Sequence, residues 1–226
     1  MKGKQGIQGQ YDAFASKYVE ENHRYNTKSD ECFFRVLGKD FKDLKILDIG
    51  CGNGEDLKRY HDLGAIVLGL DASLEMIKMA EANAPYAELT QGFMENLPYD
   101  NSTFDLVVSK YVLQTSTDVP KVISEMTRVL KRGGMLQYLA VHPLRQFLEK
   151  KKDGKDYFLQ EIVHSVFFEG KVTALEPSHT FNEYLNPKFL RYFEMLNFEE
   201  HDHFPDSERI NGDNYPCFFI VKAKKK

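Results

Sequence analysis

The segment LKILDIGCGNGE, residues 44–55, decides the fold of this chain. Its apolar part, Leu44–Ile49, predicts a buried strand that carries an acid near its end, and three glycines on alternate positions follow it. Glycine takes backbone conformations that side chains forbid. It also lets a ligand lie against the main chain, beside the N–H groups that begin the next helix. This strand, turn and helix therefore predict a nucleotide-type binding site.

Strands and helices alternate after this segment. The next predicted strands are Ala65–Leu70, Ala87–Thr90, Phe104–Ser109 and Met135–Val141, and a helix over Pro120–Leu130 precedes the last of them. Strands separated by helices of about ten residues form right-handed βαβ units and a parallel sheet. We therefore expect an α/β fold, a Rossmann-like, doubly wound and mostly parallel sheet of seven strands whose last hairpin is antiparallel.

The two ends of the chain depart from this alternation. Apolar residues at helical spacing predict N-terminal helices between about Tyr11 and Leu37, with a break at Asn26-Thr27. The absence of a clear period after His142 indicates an insertion over the ligand-binding edge of the sheet. The expected C-terminal elements are a helix that begins at Asn186-Pro187 and carries Phe189, Leu190, Phe193 and Leu196, and two antiparallel strands, Phe198–Phe204 and Pro216–Val221.

Composition narrows the class of partner. The chain has 30 basic and 34 acidic residues and a formal net charge of −4, which argues against a nucleic-acid surface. Cys32, Cys51 and Cys217 show neither metal-ligand nor disulfide spacing, so we expect no metal site and a reducing compartment. The N-terminus lacks the apolar core of a signal peptide, and no apolar run approaches the roughly 20 residues of a membrane span. These features predict a cytoplasmic protein without a nucleic-acid or membrane partner.

The glycine spacing and two acids indicate which nucleotide binds. The dinucleotide fingerprint G-x-G-x-x-G would need a glycine at position 55, which is Glu55, and no lysine follows the glycines as a P-loop requires. Asp48 would repel a phosphate but suits an ammonium or a sulfonium group. Asp71, at the end of the second strand, is placed to accept both ribose hydroxyls. These residues together predict that the ligand is a nucleoside with a cationic amino-acid tail.

Five segments in order resemble the class I S-adenosylmethionine-dependent methyltransferases, above all the small-molecule group that includes ubiquinone/menaquinone-type C-methyltransferases. The segments are LDIGCGNG (47–54), GLDAS (69–73) with Met76, QGFMENLPY (91–99), FDLV (104–107) and VLKRGG (129–134). The resemblance covers about residues 44–141. It implies a Rossmann-like fold, S-adenosylmethionine as the cofactor and S-adenosylhomocysteine as the product.

The resemblance also implies a set of cofactor contacts. Asp48, Gly50 and Gly52 would line the methionine end and Asp71 the ribose, while Ser109 and Lys110 would offer backbone carbonyls to the amino group. Tyr11 and Tyr18 resemble residues of the family's helix that closes over the cofactor, although core packing is an equal alternative for both. The residues expected around the adenine are Ala72, Met76, Gly92, Phe93 and Met94.

Phe93 departs from the family pattern, because an acid that bonds the adenine amino group commonly stands there. That bond would have to come from Glu95 or from a main-chain carbonyl, or be replaced by aromatic packing.

The acceptor of the methyl group would lie outside the carboxyl ends of the strands. Gln114, Thr115 and Arg145 come at such ends, and we expect Gln114 and Arg145 to contact the substrate. His142 and His179 are the candidate general bases, which are needed only if the acceptor keeps a proton at neutral pH. A structural role for each histidine, and a solvated one for Arg145, are the alternatives.

The expected organisation is a single domain over residues 1–226. It consists of an N-terminal helical lid (1–40), a cofactor-binding core (41–142), a cap (143–180), and a C-terminal helix with closing strands (181–226). The expected activity is methyl transfer to an oxygen, nitrogen or carbon atom of a small molecule, by a monomer or homodimer. A methyltransferase for protein or RNA, and a non-catalytic S-adenosylmethionine-binding protein, are the alternatives.

Overall fold

A seven-stranded sheet and a separate hairpin organise the residues that the computed structural model describes, namely 2–25, 27–150, 154–202 and 210–226. The strands are β1 (Lys45–Ile49), β2 (Ile66–Asp71), β3 (Glu88–Gln91), β4 (Phe104–Lys110), β5 (Leu130–Val141), β6 (Ile162–Phe167), β7 (Val172–Pro177), β8 (Phe193–His201) and β9 (Phe218–Lys225). The helices are α1 (Lys2–Tyr25), α2 (Thr27–Leu37), α3 (Glu55–Asp62), α4 (Leu74–Asn83), α5 (Val119–Val129), α6 (Pro143–Glu149), α7 (Phe181–Tyr184) and α8 (Pro187–Tyr192).

The strand order in the large sheet is β3-β2-β1-β4-β5-β9-β8, and β9 runs antiparallel to both of its neighbours. The strands from β3 to β5 are parallel. This arrangement confirms the predicted doubly wound, mostly parallel sheet of seven strands with an antiparallel hairpin. The order reverses between β1 and β4, and ligands of such sheets bind outside the carboxyl ends of the strands at that switch point.

The core lies on both faces of the sheet. Successive residues of a strand point to opposite faces, so Ile46 joins the cluster under α2 and α3, whereas Leu47 and Ile49 join the cluster under α5, α7 and α8. All three side chains are fully buried. The strand that precedes the glycines is therefore anchored on both sides, which fixes the position of the turn that follows it.

The prediction for the start of the fifth strand was wrong by five residues. β5 begins at Leu130 rather than at Met135, and its pairing with β4 shifts register between Phe104 and Leu106. Gly133 has a φ of +77° inside this irregularity, so the glycines of the VLKRGG segment lie in a bulge within the strand.

The C-terminal helix is shorter than predicted. α8 ends at Tyr192, and the expected helical residues Phe193 and Leu196 belong to β8, which pairs with β9 along its length. Phe193 packs in the core, whereas Leu196 is exposed. Backbone pairing with β9 thus overrides the helical spacing of the apolar residues. The predicted strands Phe198–Phe204 and Pro216–Val221 overlap β8 and β9, and Phe204 lies outside the described residues.

The region predicted as a cap contains α6 and the antiparallel hairpin of β6 and β7. The inward side of the hairpin is buried at Val163, Val172 and Ala174, whereas Ile162 and Leu175 on its outer side are exposed. Because apolar residues occupy both sides, the sequence lacks the alternation of polar and apolar residues that would have predicted two strands.

The first helix lies between α4 and this hairpin. The Asp12 carboxylate of α1 accepts hydrogen bonds from the Ser73 hydroxyl at 2.5 Å and from the Glu75 N–H at 3.3 Å. On the other side, the Gln10 amide bonds both the N–H and the carbonyl of Leu175 at 2.9 Å. Within the described ranges, no helix has the length and apolarity required to cross a membrane.

Gly69 provides a test of the packing beneath the turn. A methyl group at Gly69 would lie 2.8 Å from Cys51 Sγ and from Leu57 Cδ1. We expect Gly69→Ala to lower the free energy of unfolding by about 1–3 kcal/mol through overpacking. Gly9, in the exposed part of α1, has nothing within 4 Å of that position, so Gly9→Ala should raise stability by about 0.5–1 kcal/mol. Urea unfolding measures both, and equal effects of the two substitutions would contradict this account.

Candidate functional site

The turn after β1 consists of glycines in the left-handed region. Gly50, Gly52 and Gly54 have φ values of +74°, +53° and +82°. The N–H groups of Gly50 and Cys51 donate to the Leu70 carbonyl at 2.6 and 3.1 Å, which ties the turn to the end of β2. The glycine turn expected from the sequence lies at this place, and a residue with a side chain could adopt its backbone conformation only at a cost in free energy.

The three glycines meet different surroundings. A methyl group at Gly50 would overlap the Val112 side chain, and one at Gly54 would lie 3.0 Å from the Ala80 backbone and side chain. At Gly52 nothing lies within 4 Å. Gly50 and Gly54 therefore permit close packing of the protein itself, whereas Gly52 exposes its backbone to open space.

That open space is part of a cavity at the carboxyl ends of β1, β2 and β4. Its empty volume is about 1130 Å³, including the part that opens to solvent, which is large enough for a nucleoside-sized ligand. The lining comes from α1, α2, the glycine turn, the start of α3, the loops after β2 and β3, and the segment after β4. The lining residues are Tyr11, Tyr18, Val19, Asn22, Asp30, Asp48, Ile49, Gly50, Cys51, Gly52, Asn53, Glu55, Asp56, Leu70, Asp71, Ala72, Met76, Gly92, Met94, Lys110, Tyr111, Val112 and Thr115.

Asp71 connects the glycine turn to the next loop. Its carboxylate accepts hydrogen bonds from the Gly52 N–H and from the Ser73 N–H, both at 2.9 Å. Burial raises the pKa of Asp71, and these backbone N–H groups oppose the rise. The carboxylate lines the cavity with further lone pairs available, so it can still accept a hydrogen bond from a ligand hydroxyl.

Asp48 presents a second carboxylate to the cavity. It is 4 % exposed and accepts no hydrogen bond from the described part of the chain. Burial and the nearby Asp56 carboxylate raise the pKa of Asp48 well above its ordinary value, while Lys110 lowers it. A cationic ligand placed beside Asp48 would restore its charged form.

Lys110 holds two helices together at the edge of the cavity. Its ammonium lies 2.6 Å from an Asp30 oxygen of α2 and 2.7 Å from an Asp56 oxygen of α3. Burial disfavours this charge, but Asp56 and Asp30 outweigh the burial and raise the pKa of Lys110. The sequence analysis expected only a backbone contact from Lys110. The ion pairs of its side chain were missed, because they join segments that are distant in sequence.

The residues expected around the adenine divide into two groups. Ala72, Met76, Gly92 and Met94 line the cavity. Phe93, which is 42 % exposed, does not line it.

Ser109 lies beneath the cavity and is absent from its lining. It is fully buried, and its hydroxyl donates to the Ile49 carbonyl at 2.9 Å. That bond joins β4 to β1 within the sheet.

Three tyrosines form part of the cavity wall. Tyr11 and Tyr18 of α1 line the cavity, with ring centroids 5.8 Å apart, and burial raises the pKa of Tyr18 to about 12. Tyr111, which the sequence analysis did not select, has a φ of +57° and also lines the cavity. A left-handed conformation at a bulky residue is costly and is typical of functional sites.

The residues expected on the acceptor side are all buried, and of these Thr115 lines the cavity. The Gln114 amide N–H donates to the Tyr111 carbonyl at 2.8 Å. The Arg145 guanidinium bonds Glu149 at 3.0 Å and the Val166 carbonyl at 3.2 Å. Gln114 and Arg145 thus lie behind the cavity wall.

Both candidate histidines have their two ring nitrogens engaged and lie outside the cavity lining. His142 Nδ1 accepts from the Leu144 N–H at 3.0 Å, at the beginning of α6, and Nε2 lies 2.7 Å from Glu200. Burial lowers the pKa of His142. His179 Nε2 lies 3.1 Å from the Gln114 carbonyl and Nδ1 3.2 Å from Glu183. The structure therefore does not bring either imidazole to the cavity.

Glu176 of β7 was not among the residues expected from the sequence. Its side chain is fully buried, and burial raises its pKa to about 7. The neighbouring Glu149 carboxylate also raises it, while Ser165, Arg145 and Gln114 lower it. The sequence offered no signal for this acid, because its place on the same side as the buried Ala174 is evident only once β7 is known to be a strand.

Comparison with known proteins agrees with this geometry. Residues 47–137 match a family model described as a methyltransferase domain. This match supports the resemblance to the class I S-adenosylmethionine-dependent methyltransferases. The match starts in β1 and ends within β5, so it contains the glycine turn, Asp71 and Lys110.

Two relatives show the extent of the similarity. An uncharacterised methyltransferase from Synechocystis is 38 % identical over 100 residues, which are 43 % of this chain and 47 % of the relative. A ubiquinone/menaquinone biosynthesis C-methyltransferase from Campylobacter jejuni is 28 % identical over 137 residues, which are 55 % of this chain and 56 % of the relative. The matched part thus spans about half the length of these relatives.

The similarity to solved structures extends over more of the chain. A crystal structure of an S-adenosylmethionine-dependent methyltransferase from Mesorhizobium loti superposes with a TM-score of 0.68 at 23 % identity. The match covers 84 % of this chain and 94 % of the other. At this identity, the comparison shows the fold.

The residues of the cavity fit S-adenosylmethionine. The open space beside the Gly52 backbone allows a ligand to approach the main chain closely. The Asp48 carboxylate is available for a cationic group, and the Asp71 carboxylate can accept hydrogen bonds from ribose hydroxyls. Within the described residues, no cluster of three or more histidines, cysteines or acids could hold a metal ion.

The expected contact of Asp71 with the ribose can be tested by a substitution that removes the carboxylate. We expect Asp71→Ala to weaken the binding of S-adenosylhomocysteine by roughly 1.5–3 kcal/mol, the range for a hydrogen bond to a charged group. Isothermal titration calorimetry measures the change. Asp105, whose carboxylate bonds Lys131 and the Lys45 N–H at the other end of the sheet, provides the control. An unchanged affinity in Asp71→Ala would refute the ribose contact.

The raised pKa of Glu176 predicts an unusual dependence of the free energy of unfolding on pH. Its pKa rises on folding from 4.5 to about 7, so the folded state favours the protonated form and loses stability as the pH rises between these values. At 1.36 kcal/mol per unit, this loss is at most about 3 kcal/mol. Glu176→Gln should therefore exceed the wild type in stability above about pH 7, and the difference should shrink towards about pH 4.5. Urea unfolding across this range checks the prediction, and a difference that does not change with pH contradicts it.

Proposed function

We propose that this methyltransferase transfers a methyl group from S-adenosylmethionine to a small-molecule acceptor and releases S-adenosylhomocysteine. The observation that carries the proposal is the open space beside the Gly52 backbone, at the switch point of the sheet, in a cavity that the carboxylates of Asp48 and Asp71 also line.

The charges of the cavity favour a cation. Asp30, Asp48, Asp56 and Asp71 line it, whereas Lys110 is the ammonium among its lining residues. Because Lys110 is already paired with Asp30 and Asp56, it leaves Asp48 without a direct ion-pair partner among the described residues, and a cationic ligand beside Asp48 would favour its charged form. Such a site repels the phosphates of a dinucleotide and attracts a sulfonium or an ammonium group.

In this proposal, Asp48 contacts the methionine end of S-adenosylmethionine and Asp71 binds its ribose. The adenine packs against three apolar residues, Ala72, Met76 and Met94. Bound S-adenosylmethionine supplies an electrophilic methyl group on a sulfonium. The protein then contributes alignment and the exclusion of water, which α1 provides by covering the cavity with Tyr11 and Tyr18.

The small size of the acceptor is inferred from the enclosure of the site. Helix α1 is bonded to α4 on one side and to the hairpin on the other, so the cavity lies beneath a covered surface. The net charge of −4 argues against RNA. The name of the Campylobacter relative, a quinone-pathway C-methyltransferase, agrees with a small acceptor. A protein or RNA methyltransferase and a non-catalytic binder remain the competing proposals.

Calorimetry with S-adenosylhomocysteine tests the cofactor part of the proposal. We expect Gly52→Ala to abolish or strongly weaken binding, because the added methyl group would occupy the space in which the ligand lies. Gly133→Ala is a matched control, since Gly133 has a φ of +77°, has nothing within 4 Å and lies in β5, away from the cavity. Each substitution carries a left-handed strain of about 1–2 kcal/mol. No binding by the folded wild type at hundreds of micromolar would overturn the proposal.

Product analysis tests which class of molecule accepts the methyl group. The wild type is incubated with S-adenosylmethionine and a panel of phenols, amines and quinols, and S-adenosylhomocysteine is quantified. We expect turnover with at least one small molecule. Turnover with protein or RNA alone would support the first competing proposal, and tight cofactor binding with no turnover on any class would support the second.

A further inference from the structure

The residues proposed to contact the cofactor occupy only part of the cavity lining. Asp48 and Asp71 lie at the carboxyl ends of β1 and β2, and the residues proposed for the adenine come from α4 and the loops after β2 and β3. A further part of the lining comes from α1, α2, the end of β4 and the segment that follows it. Because Asp48 pairs with Val108 of β4, this part adjoins the methionine end. It is here called the β4 side, and it contains Tyr18, Asp30, Lys110 and Tyr111.

Two successive residues at the end of β4 are bonded to two successive residues of α2. The Lys110 ammonium lies 2.6 Å from Asp30 Oδ1, and the Ser29 side chain is hydrogen-bonded to the Tyr111 hydroxyl. The Tyr111 N–H donates to the Leu139 carbonyl of β5 at 2.8 Å, which fixes this residue to the sheet. The Asp30 carboxylate and the Tyr111 side chain are therefore neighbours in the cavity lining.

Two polar groups of the β4 side have unused capacity for hydrogen bonds. Among the described residues, Lys110 is the sole hydrogen-bond partner of the Asp30 carboxylate, so Asp30 Oδ2 can accept from a ligand. The Tyr18 hydroxyl has no hydrogen-bond partner within the same ranges. The β4 side can thus bind a polar group without losing a contact that the fold requires.

Acids outnumber cations in the cavity. In the described part of the chain, five acids and one lysine line it, and the acids are Asp30, Asp48, Glu55, Asp56 and Asp71. The cofactor brings a sulfonium and an ammonium group against a single carboxylate, so its binding removes only part of this excess. The excess persists when Asp48 is protonated, since the other acids still outnumber Lys110 and the surplus positive charge of the cofactor. A cationic acceptor is therefore favoured over a neutral or an anionic one.

Aromatic rings complete the surroundings that suit a cation. Tyr11, Tyr18 and Tyr111 line the cavity, and the ring centroids of Tyr11 and Tyr18 are 5.8 Å apart. The face of a tyrosine ring attracts an ammonium group that lies within about 6 Å of its centroid. A carboxylate beside such rings recognises an ammonium group through its charge and through the rings, whereas a phenol or a quinol would gain only from the rings.

We propose that the β4 side is the acceptor subsite and that it binds a small-molecule amine as its ammonium ion. Asp30 accepts the hydrogen bond of the ammonium group, and the rings of Tyr18 and Tyr111 pack against it. This inference rests on the proposed methyl transfer and adds the chemical class of the acceptor, with nitrogen as the methylated atom. It makes Asp30, Tyr18 and Tyr111 specificity residues.

Methylation of an amine balances without a further co-reactant. The bound ammonium ion first loses one proton to water, which reaches the cavity where it opens to solvent. The nitrogen lone pair then forms a bond to the methyl carbon while the bond from that carbon to sulfur breaks, and sulfur keeps the electron pair. The products are a methylated ammonium ion and S-adenosylhomocysteine. The Asp30 carboxylate stabilises the positive charge that the nitrogen regains.

Binding of three probes to the S-adenosylhomocysteine complex tests the proposal without requiring turnover. The probes 2-phenylethylamine, 2-phenylethanol and phenylacetate are similar in size and shape but carry a positive, a neutral and a negative group. Isothermal titration calorimetry gives the dissociation constant of each. We expect the wild-type complex to bind the amine at least about ten-fold more tightly than the alcohol, and phenylacetate most weakly.

Two substitutions should reduce the ratio of amine to alcohol affinity. We expect Asp30→Asn to lower it about ten-fold through the loss of a charged hydrogen bond, and Tyr18→Leu about three-fold through the loss of a ring face. Because Asp30→Asn also deprives Lys110 of one partner, this variant should bind phenylacetate more tightly than the wild type does. Tyr18→Phe retains a ring face and should retain the ratio. A general weakening of the site cancels in this ratio, since both affinities are measured on the same complex.

Asp105→Asn is the matched control. Asp105 is also paired with a lysine, Lys131 at 2.8 Å, and its side chain is 30 % exposed against 33 % for that of Asp30. It does not line the cavity, so this variant should keep the wild-type ratio. If Asp30→Asn does not fold, Tyr18→Leu and Tyr18→Phe carry the test.

The outcomes separate the two proposals. Failure of the folded wild type to bind S-adenosylhomocysteine would overturn the proposed function and the inference with it. Binding of S-adenosylhomocysteine without a preference for the amine, including the absence of binding by all three probes, would overturn the inference alone. The same holds for an amine preference that neither Asp30→Asn nor Tyr18→Leu reduces, because the amine would then bind elsewhere.

Discussion

The carboxyl end of β2 holds the glycine turn in place, and the site depends on this connection. The Leu70 carbonyl accepts from two N–H groups of the turn, and the Asp71 carboxylate accepts from a third, that of Gly52. A left-handed backbone at three positions within five residues would otherwise be one of many conformations of a flexible loop. The bonds to β2 select it, because β2 itself is fixed by pairing with β1 and β3.

Much of the cofactor half of the molecule could be predicted from the sequence, because its determinants are local. The apolar run, the glycine spacing and the acids at the ends of the first two strands all lie within residues 44–71. A turn that needs left-handed residues can be recognised from glycines, and strands of a parallel sheet bring their carboxyl ends together whatever the rest of the chain does. The lining residues Asp48, Gly52 and Asp71 follow from these rules.

Other features of the site and its surroundings could not be predicted in the same way, because they depend on contacts between distant segments. The ion pairs of Lys110 join α2, β4 and α3, and the surroundings of Glu176 come from α1, the segment after β4, α6 and β6. The histidines chosen for their chemistry are occupied by neighbours that the sequence does not place beside them. At Phe193, backbone pairing with β9 replaced a helix that the apolar spacing favoured.

The contacts of α1 have a kinetic consequence. This helix lines the cavity with Tyr11 and Tyr18, and its flanks are fastened by Asp12 to the start of α4 and by Gln10 to the hairpin. Lys171 of the hairpin adds an ion pair to Glu21 at 2.7 Å. A nucleoside-sized molecule that passed through this side of the cavity would have to displace part of this cover. If the proposed methyl transfer takes place, the exchange of product for fresh donor would then depend on how readily these bonds open, and not on the chemical step alone.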